Sequence, residues 1–142
     1  MDKKALLVAA MVCGLAQPAM AATSGKWGAL SNTATSITGD IDVSANAVTF
    51  ANGKSLKIEA VGSKKGAWSG TGDPVEGEIF KLVPPSDPVL LNGNQFCGLP
   101  DHPATYIVLA PDTDDGMSMV VFTTDSAPTP ESSPCAIYNY GK

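Results

Sequence analysis

The chain contains a single histidine, His102, and histidine is the side chain most often used for acid–base catalysis. It lies in the segment Cys97 to Pro103, where it could serve as a general base for a hydrolase with a Ser or Asp partner. The sequence contains no Gly-x-Ser-x-Gly elbow to supply a nucleophile, and Asp101 is simply its chain neighbour. We therefore predict no catalytic residue and interpret His102 as a loop histidine between two prolines.

An acidic segment, residues 112–116, superficially resembles a calcium-binding loop. An EF-hand loop takes ligands from positions 1, 3, 5 and 12 and needs glycine at position 6. Counting from Asp112, Gly116 falls at position 5 and Thr123 at position 12. The Asp115-Gly116 pair is typical of a hairpin turn. We predict no metal site here, and no cofactor for the chain.

A third candidate is a loop that combines two lysines with a tryptophan. Lys64, Lys65 and Trp68 lie in residues 62–74, a stretch rich in glycine and serine. A tryptophan exposed on such a loop can anchor a protein or sugar ligand. The alternative is that the Trp68 ring folds back and plugs a barrel end. These three residues are our predicted binding site.

The first 21 residues have the pattern of a secretory signal peptide. Basic residues at Lys3 and Lys4 precede an apolar run over residues 5–16, and small residues end the segment at Ala19 to Ala21. The run is about 12 residues long, against roughly 20 for a transmembrane helix. We predict cleavage after Ala21, a mature domain over residues 22–142 with no membrane span, and a periplasmic or secreted location.

Export changes the interpretation of the two cysteines outside the leader. Cys97 and Cys135 form an even pair, and oxidising compartments favour a disulfide between them. Two free thiols or a metal pair are the alternatives. Closing a loop of about 39 residues would stabilise the fold by about 4 kcal/mol in the loop-entropy model.

The charge balance narrows the class of partner. The whole chain has a net charge of −5, and removal of Asp2, Lys3 and Lys4 leaves seven lysines against 13 acidic residues, a net charge of −6. Arginine is absent from the sequence. Nucleic acid binding depends on a positive surface, often with bidentate arginine contacts, so nucleic acid is excluded as a predicted partner. A cationic protein partner in the periplasm fits this charge.

The secondary-structure elements that would carry these residues are predicted to be β-strands. Apolar and polar residues alternate in residues 37–43, which predicts a half-buried strand. Residues 47–51 and 55–61 flank Asn52-Gly53, which predicts a hairpin with a type I′ turn. The core face of this hairpin would carry Val48, Phe50, Leu56 and Ile58.

Further strands are predicted at residues 78–83, 89–91, 105–110, 117–123 and 136–140. The runs at 105–110 and 117–123 are apolar on both faces, which is typical of central strands. No segment after the leader shows a sustained helical period. The predicted fold is therefore all-β: a single antiparallel β-barrel or sandwich of about seven to eight short strands with one disulfide, a meander-like barrel being the first choice.

The stretch from Trp27 to Ile41, above all residues 36–41, together with residues 91–94 and Cys97, resembles small periplasmic proteins of Gram-negative bacteria. That resemblance implies a location but no activity. The chain is also similar in class to periplasmic lysozyme inhibitors, which are small, exported, β-rich and often disulfide-bonded, although it lacks their Ser-Gly-x-x-Tyr type loop.

Together these features predict an exported, non-catalytic binding module. Its loops 62–74 and 126–134 would face a protein partner, and an inhibitor of a cationic cell-wall hydrolase is the particular form we favour. A β-barrel that binds a small ligand in its interior is the main alternative. A small hydrolase is the less favoured one.

Overall fold

The computed structural model describes residues 23–70, 72–113 and 115–142, so the predicted signal peptide at residues 1–21 lies outside the described residues. Eight strands follow one another along the chain. They are β1 (Gly25–Ala29), β2 (Ile41–Val43), β3 (Ala47–Thr49), β4 (Ser55–Gly66), β5 (Val75–Ser86), β6 (Ala104–Thr113), β7 (Gly116–Phe122) and β8 (Ala136–Gly141). Two short helical turns, Ala34–Thr38 and Leu91–Gly93, lie between strands.

The strands form a closed antiparallel barrel in which each strand pairs with the next along the chain. The first strand completes the barrel by changing partner. Gly25 to Trp27 pair with β2, whereas Gly28 and Ala29 pair with Gly141 and Tyr140 of β8. The all-β prediction is confirmed, and the meander barrel is the correct form of it.

The predicted hairpin around Asn52-Gly53 is confirmed, with β3 paired to β4. Its turn differs from the type I′ prediction, because Gly53 has a positive φ of 90° and Asn52 does not. The Asn52 side chain instead accepts a hydrogen bond from the Lys54 N–H at 3.0 Å. A single left-handed glycine after a tight turn is the common arrangement of a three-residue loop. The four predicted core residues, Val48, Phe50, Leu56 and Ile58, are all buried.

The predicted strand at residues 37–43 is correct only in its second half. Ile41 to Val43 form β2, but Ile37 and Thr38 belong to a π-helical turn, Ala34–Thr38. Hydrogen bonds favour the turn, since the Ser31 hydroxyl accepts from the Ala34 N–H and the Thr38 hydroxyl bonds to Tyr140 at 2.6 Å. Tertiary contacts outweigh the alternating pattern here.

The prediction of a strand at residues 89–91 is also wrong. Val89 makes one isolated bridge to Gln95, and Leu91–Gly93 form a 3-10 turn. The backbone turns back at this point, because Asn92 and Gly93 both have positive φ and the Asn94 N–H donates to the Leu91 carbonyl oxygen at 3.0 Å.

Side chains fill the barrel interior. Phe96 stacks on Tyr138 with ring centroids 5.6 Å apart and tilts against Phe50 at 5.3 Å. The other large members of this cluster are Trp27, Ile41, Val43, Val48, Leu56, Ile58, Phe80, Leu82, Ile107, Leu109, Met117, Met119, Val121 and Tyr140. The interior is therefore a packed core.

A second apolar cluster covers the outer face of β5, β6 and β7. It contains Ile79, Tyr106, Val108, Ala110, Val120 and Phe122, which alternate along these strands with the interior residues, together with Trp68. Both faces of β6 and β7 are thus buried, as predicted from the continuous apolar runs at residues 105–110 and 117–123.

Cys97 and Cys135 form the predicted disulfide, which joins the segment before β6 to the residue preceding β8. A disulfide fits an oxidising compartment. Within the described residues, no helix is long and apolar enough to cross a membrane.

Candidate functional site

The three residues of the predicted binding site, Lys64, Lys65 and Trp68, are close in the chain but differ in exposure. Both lysines are exposed on the β4–β5 hairpin. Trp68 is only 3% exposed, and its indole N–H donates to the Lys64 carbonyl oxygen at 2.8 Å. The ring therefore folds back, although onto the outer face of the sheet rather than into a barrel end, and it is not available as an exposed anchor.

Trp68 lies against a glycine that leaves room for it. A Cβ at Gly77 would lie 2.3 Å from Trp68 Nε1 and 2.7 Å from Val108 Cγ1. The indole also packs edge-on against Phe122, with centroids 6.2 Å apart. The absence of a side chain at Gly77 is what allows the loop to close over the outer cluster.

The two loops that we expected to face a partner also lie next to each other. A Cβ at Gly66 would lie 2.1 Å from Pro130 Cγ, so the end of β4 packs directly on residues 126–134. Beside Trp68 there is a small cleft of about 140 Å³, lined by residues that include Asp73, Asp112 and Ser118. The end of β4 and the loop at residues 126–134 therefore form one continuous surface near Pro130.

The other sequence candidates do not form a site. His102 is exposed in the loop before β6, and its backbone N–H donates to the Leu99 carbonyl oxygen. The acidic segment lies between β6 and β7, where Thr113 pairs with Gly116, and Asp114 lies outside the described residues. Among the described residues, no group of three or more His, Cys, Asp or Glu side chains is placed to hold a metal ion.

A larger concave surface lies elsewhere, on the outside of the barrel where β1 changes partner. This groove has a volume of about 550 Å³. Its lining comes from β1, β2, β3 and the end of β8: Lys26, Trp27, Gly28, Ala29, Leu30, Asp40, Ile41, Asp42, Thr49, Phe50, Gly141 and Lys142. We call it the outer groove; its lining combines members of the core cluster, such as Ile41 and Phe50, with four charged residues.

Gly28 is one of the lining residues of the groove and has no side chain to fill it. A Cβ there would lie 3.5 Å from the Gly141 carbonyl oxygen and 3.9 Å from Asp40 Oδ1, which is ordinary contact. Lys26 is exposed on one side of it in β1, and Leu30 follows it with 67% exposure. Alternation along the strand directs position 28 outward as well.

The carboxylates of the groove lie on the β2 side. Asp40 Oδ1 accepts a hydrogen bond from the Ala29 N–H at 2.9 Å, which fixes the side chain where β1 leaves β2. Asp42 is exposed and is paired with Lys26 across the strands. Acidic and basic side chains therefore lie next to each other along the groove.

The cations lie along β1 and at the end of the chain. Lys142 Nζ donates to the Lys26 carbonyl oxygen at 3.1 Å and lies 4.3 Å from the centroid of the Trp27 ring. A cation over an indole face is attracted by the ring quadrupole. Lys142 is therefore held beside Lys26, and the groove presents charges of both signs.

One buried carboxyl lies away from the groove, inside the barrel on β5. Glu78 is 9% exposed, and its Oε1 accepts a hydrogen bond from the Thr23 hydroxyl at 2.9 Å. Burial raises the pKa of Glu78 above its ordinary value, and the Thr23 hydrogen bond opposes this only in part. Burial likewise raises the pKa of Tyr138 and Tyr140, so both phenols stay protonated at physiological pH.

Comparisons with known proteins give no family for the chain: no protein-family model, curated protein or solved structure matches it. Function must therefore be argued from the arrangement of its residues.

The outer groove was missed in the sequence because its walls come from distant segments. Residues 25–27 pair with β2, but residues 28 and 29 meet residues 141 and 140 only when β8 pairs with β1. A weak signal was present, since Lys26, Gly28 and Leu30 alternate on one face with a glycine at the centre, and a glycine within a strand often marks a close approach of another group.

Proposed function

We propose that this chain is an exported, non-catalytic binding module that takes a cationic protein partner in the periplasm, as an inhibitor of a cell-wall hydrolase would. The leader pattern of residues 1–21 and the Cys97–Cys135 disulfide support export.

The observation that carries the proposal is a filled barrel with a groove of about 550 Å³ on its outside. Aromatic stacking of Phe50, Phe96 and Tyr138 occupies the interior. A packed core favours recognition at the surface, and the outer groove offers both apolar contact and charge.

Net charge supports a cationic partner. A molecule with a charge of −5, or −6 without its leader, attracts a basic protein over a distance and raises the association rate. This attraction weakens as salt is added.

Small-ligand binding is the second candidate, and the same groove favours it. Pockets for small molecules are commonly about 300 to 1,000 Å³ and mostly apolar. The filled interior means that such a ligand would bind outside the barrel rather than within it.

To test the proposal, the full chain is exported from a Gram-negative host and the protein is purified from the periplasm. Intact mass is expected to show loss of residues 1–21. Micromolar protein is then added to lysozymes of several classes, and wall hydrolysis is measured at low and high salt. Inhibition that weakens with salt is expected, whereas full activity of every class would contradict the inhibitor proposal.

A further inference from the structure

We infer that the exposed edge of β4 binds an extended acidic segment of a protein partner, which adds to the sheet as a further strand. The inference goes beyond the proposed function and concerns a second surface, because β4 and the outer groove share no residue. The argument comes from the unequal lengths of β3 and β4.

β4 extends well past the strand beside it. β3 has three residues, whereas β4 has 12, and pairing between the two strands covers residues 55–57. The Ile58 N–H then donates to the Asn46 carbonyl oxygen at 3.0 Å, where the chain turns from β2 into β3. Residues 59–66 pair with β5 on one side, and within the described part of the chain no strand pairs with their other side. We call residues 59–66 the open edge.

The open edge presents backbone groups that can pair with another chain. In an antiparallel strand, the N–H and C=O groups point alternately toward the two neighbouring positions in the sheet. About half of those in the open edge therefore point away from β5, and residues 59–65 are all exposed. An extended peptide can add to such an edge through main-chain hydrogen bonds.

The far end of the open edge is already ordered. The register with β5 shifts at Val61, so the regular part of the edge is residues 62–66. The buried Trp68 donates from its indole N–H to the Lys64 carbonyl oxygen at 2.8 Å. The indole lies over Gly77 of β5, so it covers the face of the sheet and leaves the edge free. A strand that is already ordered loses little conformational entropy when a partner binds.

Charge decides the class of partner. Lys64 and Lys65 are consecutive in β4, so their side chains point to opposite faces of the sheet. Lys65 is paired across the strands with Glu76, but Lys64 is paired with Gly77, which has no side chain to neutralise it. Two consecutive acidic residues on an added strand would place one carboxylate on each face, beside each of the two lysines.

A second copy of this chain fits the open edge less well. The edge contains two lysines and one glutamate, Glu59, so two such edges carry charge of the same sign and repel each other. Lysines on an exposed strand are a common protection against pairing between copies. An acidic segment turns the same charge into an attraction, and Val61, which is 48% exposed, offers apolar contact beside it.

The test is an NMR titration of the isotope-labelled protein, purified after export of the full chain. An ionic strength of about 0.15 M screens the net negative charge of the rest of the molecule. Four N-acetylated, C-amidated hexapeptides are compared: Thr-Val-Glu-Glu-Val-Thr, its Gln-Gln and Lys-Lys analogues, and Thr-Pro-Glu-Glu-Pro-Thr.

We expect Thr-Val-Glu-Glu-Val-Thr to produce saturable shifts at the amides of residues 62–66 and to slow hydrogen exchange at those that point away from β5. The Gln-Gln and Lys-Lys peptides are expected to bind at least tenfold more weakly. The proline peptide is expected to bind at least tenfold more weakly as well, because it keeps the charge but lacks two main-chain donors.

Variants separate the open edge from the rest of the surface. Lys64→Gln with Lys65→Gln is expected to weaken binding of the acidic peptide at least tenfold. The charge-matched control is Lys26→Gln with Lys54→Gln, which changes two exposed lysines outside the open edge. We expect this control to bind the peptide as the unaltered protein does.

The inference is wrong if the charge of the peptide makes no difference, if no peptide shifts the amides of residues 62–66, or if the control substitutions weaken binding equally. It is also wrong if the proline peptide binds as tightly as Thr-Val-Glu-Glu-Val-Thr, since attraction between charges would then act without strand pairing. Shifts of the same amides on dilution of the protein alone would show that the edge pairs with a second copy instead.

Discussion

Trp68 and Gly77 occupy one small volume, and each residue restricts the other. A methyl group at position 77 would overlap the indole and Val108 Cγ1. The backbone around Gly77 is an ordinary strand paired with Lys64, so the constraint is one of space and not of φ. Sequence alone gives no sign of it.

We expect Gly77→Ala to lower the free energy of unfolding by about 2 kcal/mol, the usual scale of overpacking. The measurement is urea denaturation followed by tryptophan fluorescence. Gly28→Ala is the matched control, since its Cβ makes only ordinary contacts, and we expect it to change stability little. Equal stability of the two variants would contradict the role assigned to Trp68.

The buried carboxyl of Glu78 is expected to make the free energy of unfolding depend on pH. Burial raises its pKa in the folded state, so the folded protein holds this proton to a higher pH than the unfolded chain does. The stabilisation from the protonated carboxyl is complete below the unfolded pKa and is lost as the pH rises through the folded pKa.

Glu78→Gln keeps an oxygen that can accept from Thr23 and removes this titration. We expect the variant to gain stability relative to the unaltered protein as the pH rises from about 4 to 8, with urea denaturation as the measurement. Glu76→Gln, on the same strand but exposed, is the control. A stability difference that does not vary with pH would show that Glu78 is not responsible.

At the scale of elements, the sequence predicted best where local chemistry and tertiary contacts agree. The β3–β4 hairpin is an example, because Asn52-Gly53 favours a turn and Val48 and Leu56 pack on the same face. Residues 37–38 show the opposite case. The alternating pattern favoured a strand, but the Thr38 hydroxyl bonds to Tyr140, a residue on the last strand that no local window includes.

The candidate site was less predictable for the same reason. Lys64, Lys65 and Trp68 were identified by residue type, and type does not determine the direction of a side chain. Trp68 folds back because the outer faces of β5 and β6 are apolar and need cover. The outer groove depends on β1 meeting β8, which the sequence predicted only as part of a general barrel topology.

The β4–β5 loop should act as a cover that stabilises the fold. We expect Trp68→Ala to cost about 3 kcal/mol of unfolding free energy, the usual loss for a buried aromatic side chain. Lys64→Gln with Lys65→Gln should leave stability nearly unchanged, since both lysines are exposed. Urea denaturation of the variants checks this. A Trp68→Ala variant as stable as the unaltered protein would contradict the packing described for the indole.

At the scale of the whole molecule, the disulfide limits the freedom of the unfolded chain. It joins residues separated by 38 positions and lies between the segment before β6 and the start of β8. In the loop-entropy model, replacing Cys97 and Cys135 by alanine is expected to cost about 4 kcal/mol. Chemical denaturation of the double variant measures this, and a loss below about 1 kcal/mol would mean that the disulfide adds little to the fold.

The change of partner along β1 also has a consequence for how the protein is made. Each of strands β2 to β8 pairs with the strand that precedes it in the chain, so the hairpins can form in order as the polypeptide is made. The pairing of Gly28 and Ala29 with Gly141 and Tyr140 can form only after β8 has been made. It joins the strands that are most distant in the chain. Because Gly141 and Lys142 help to line the outer groove, the groove is complete only after the last strand has paired with β1.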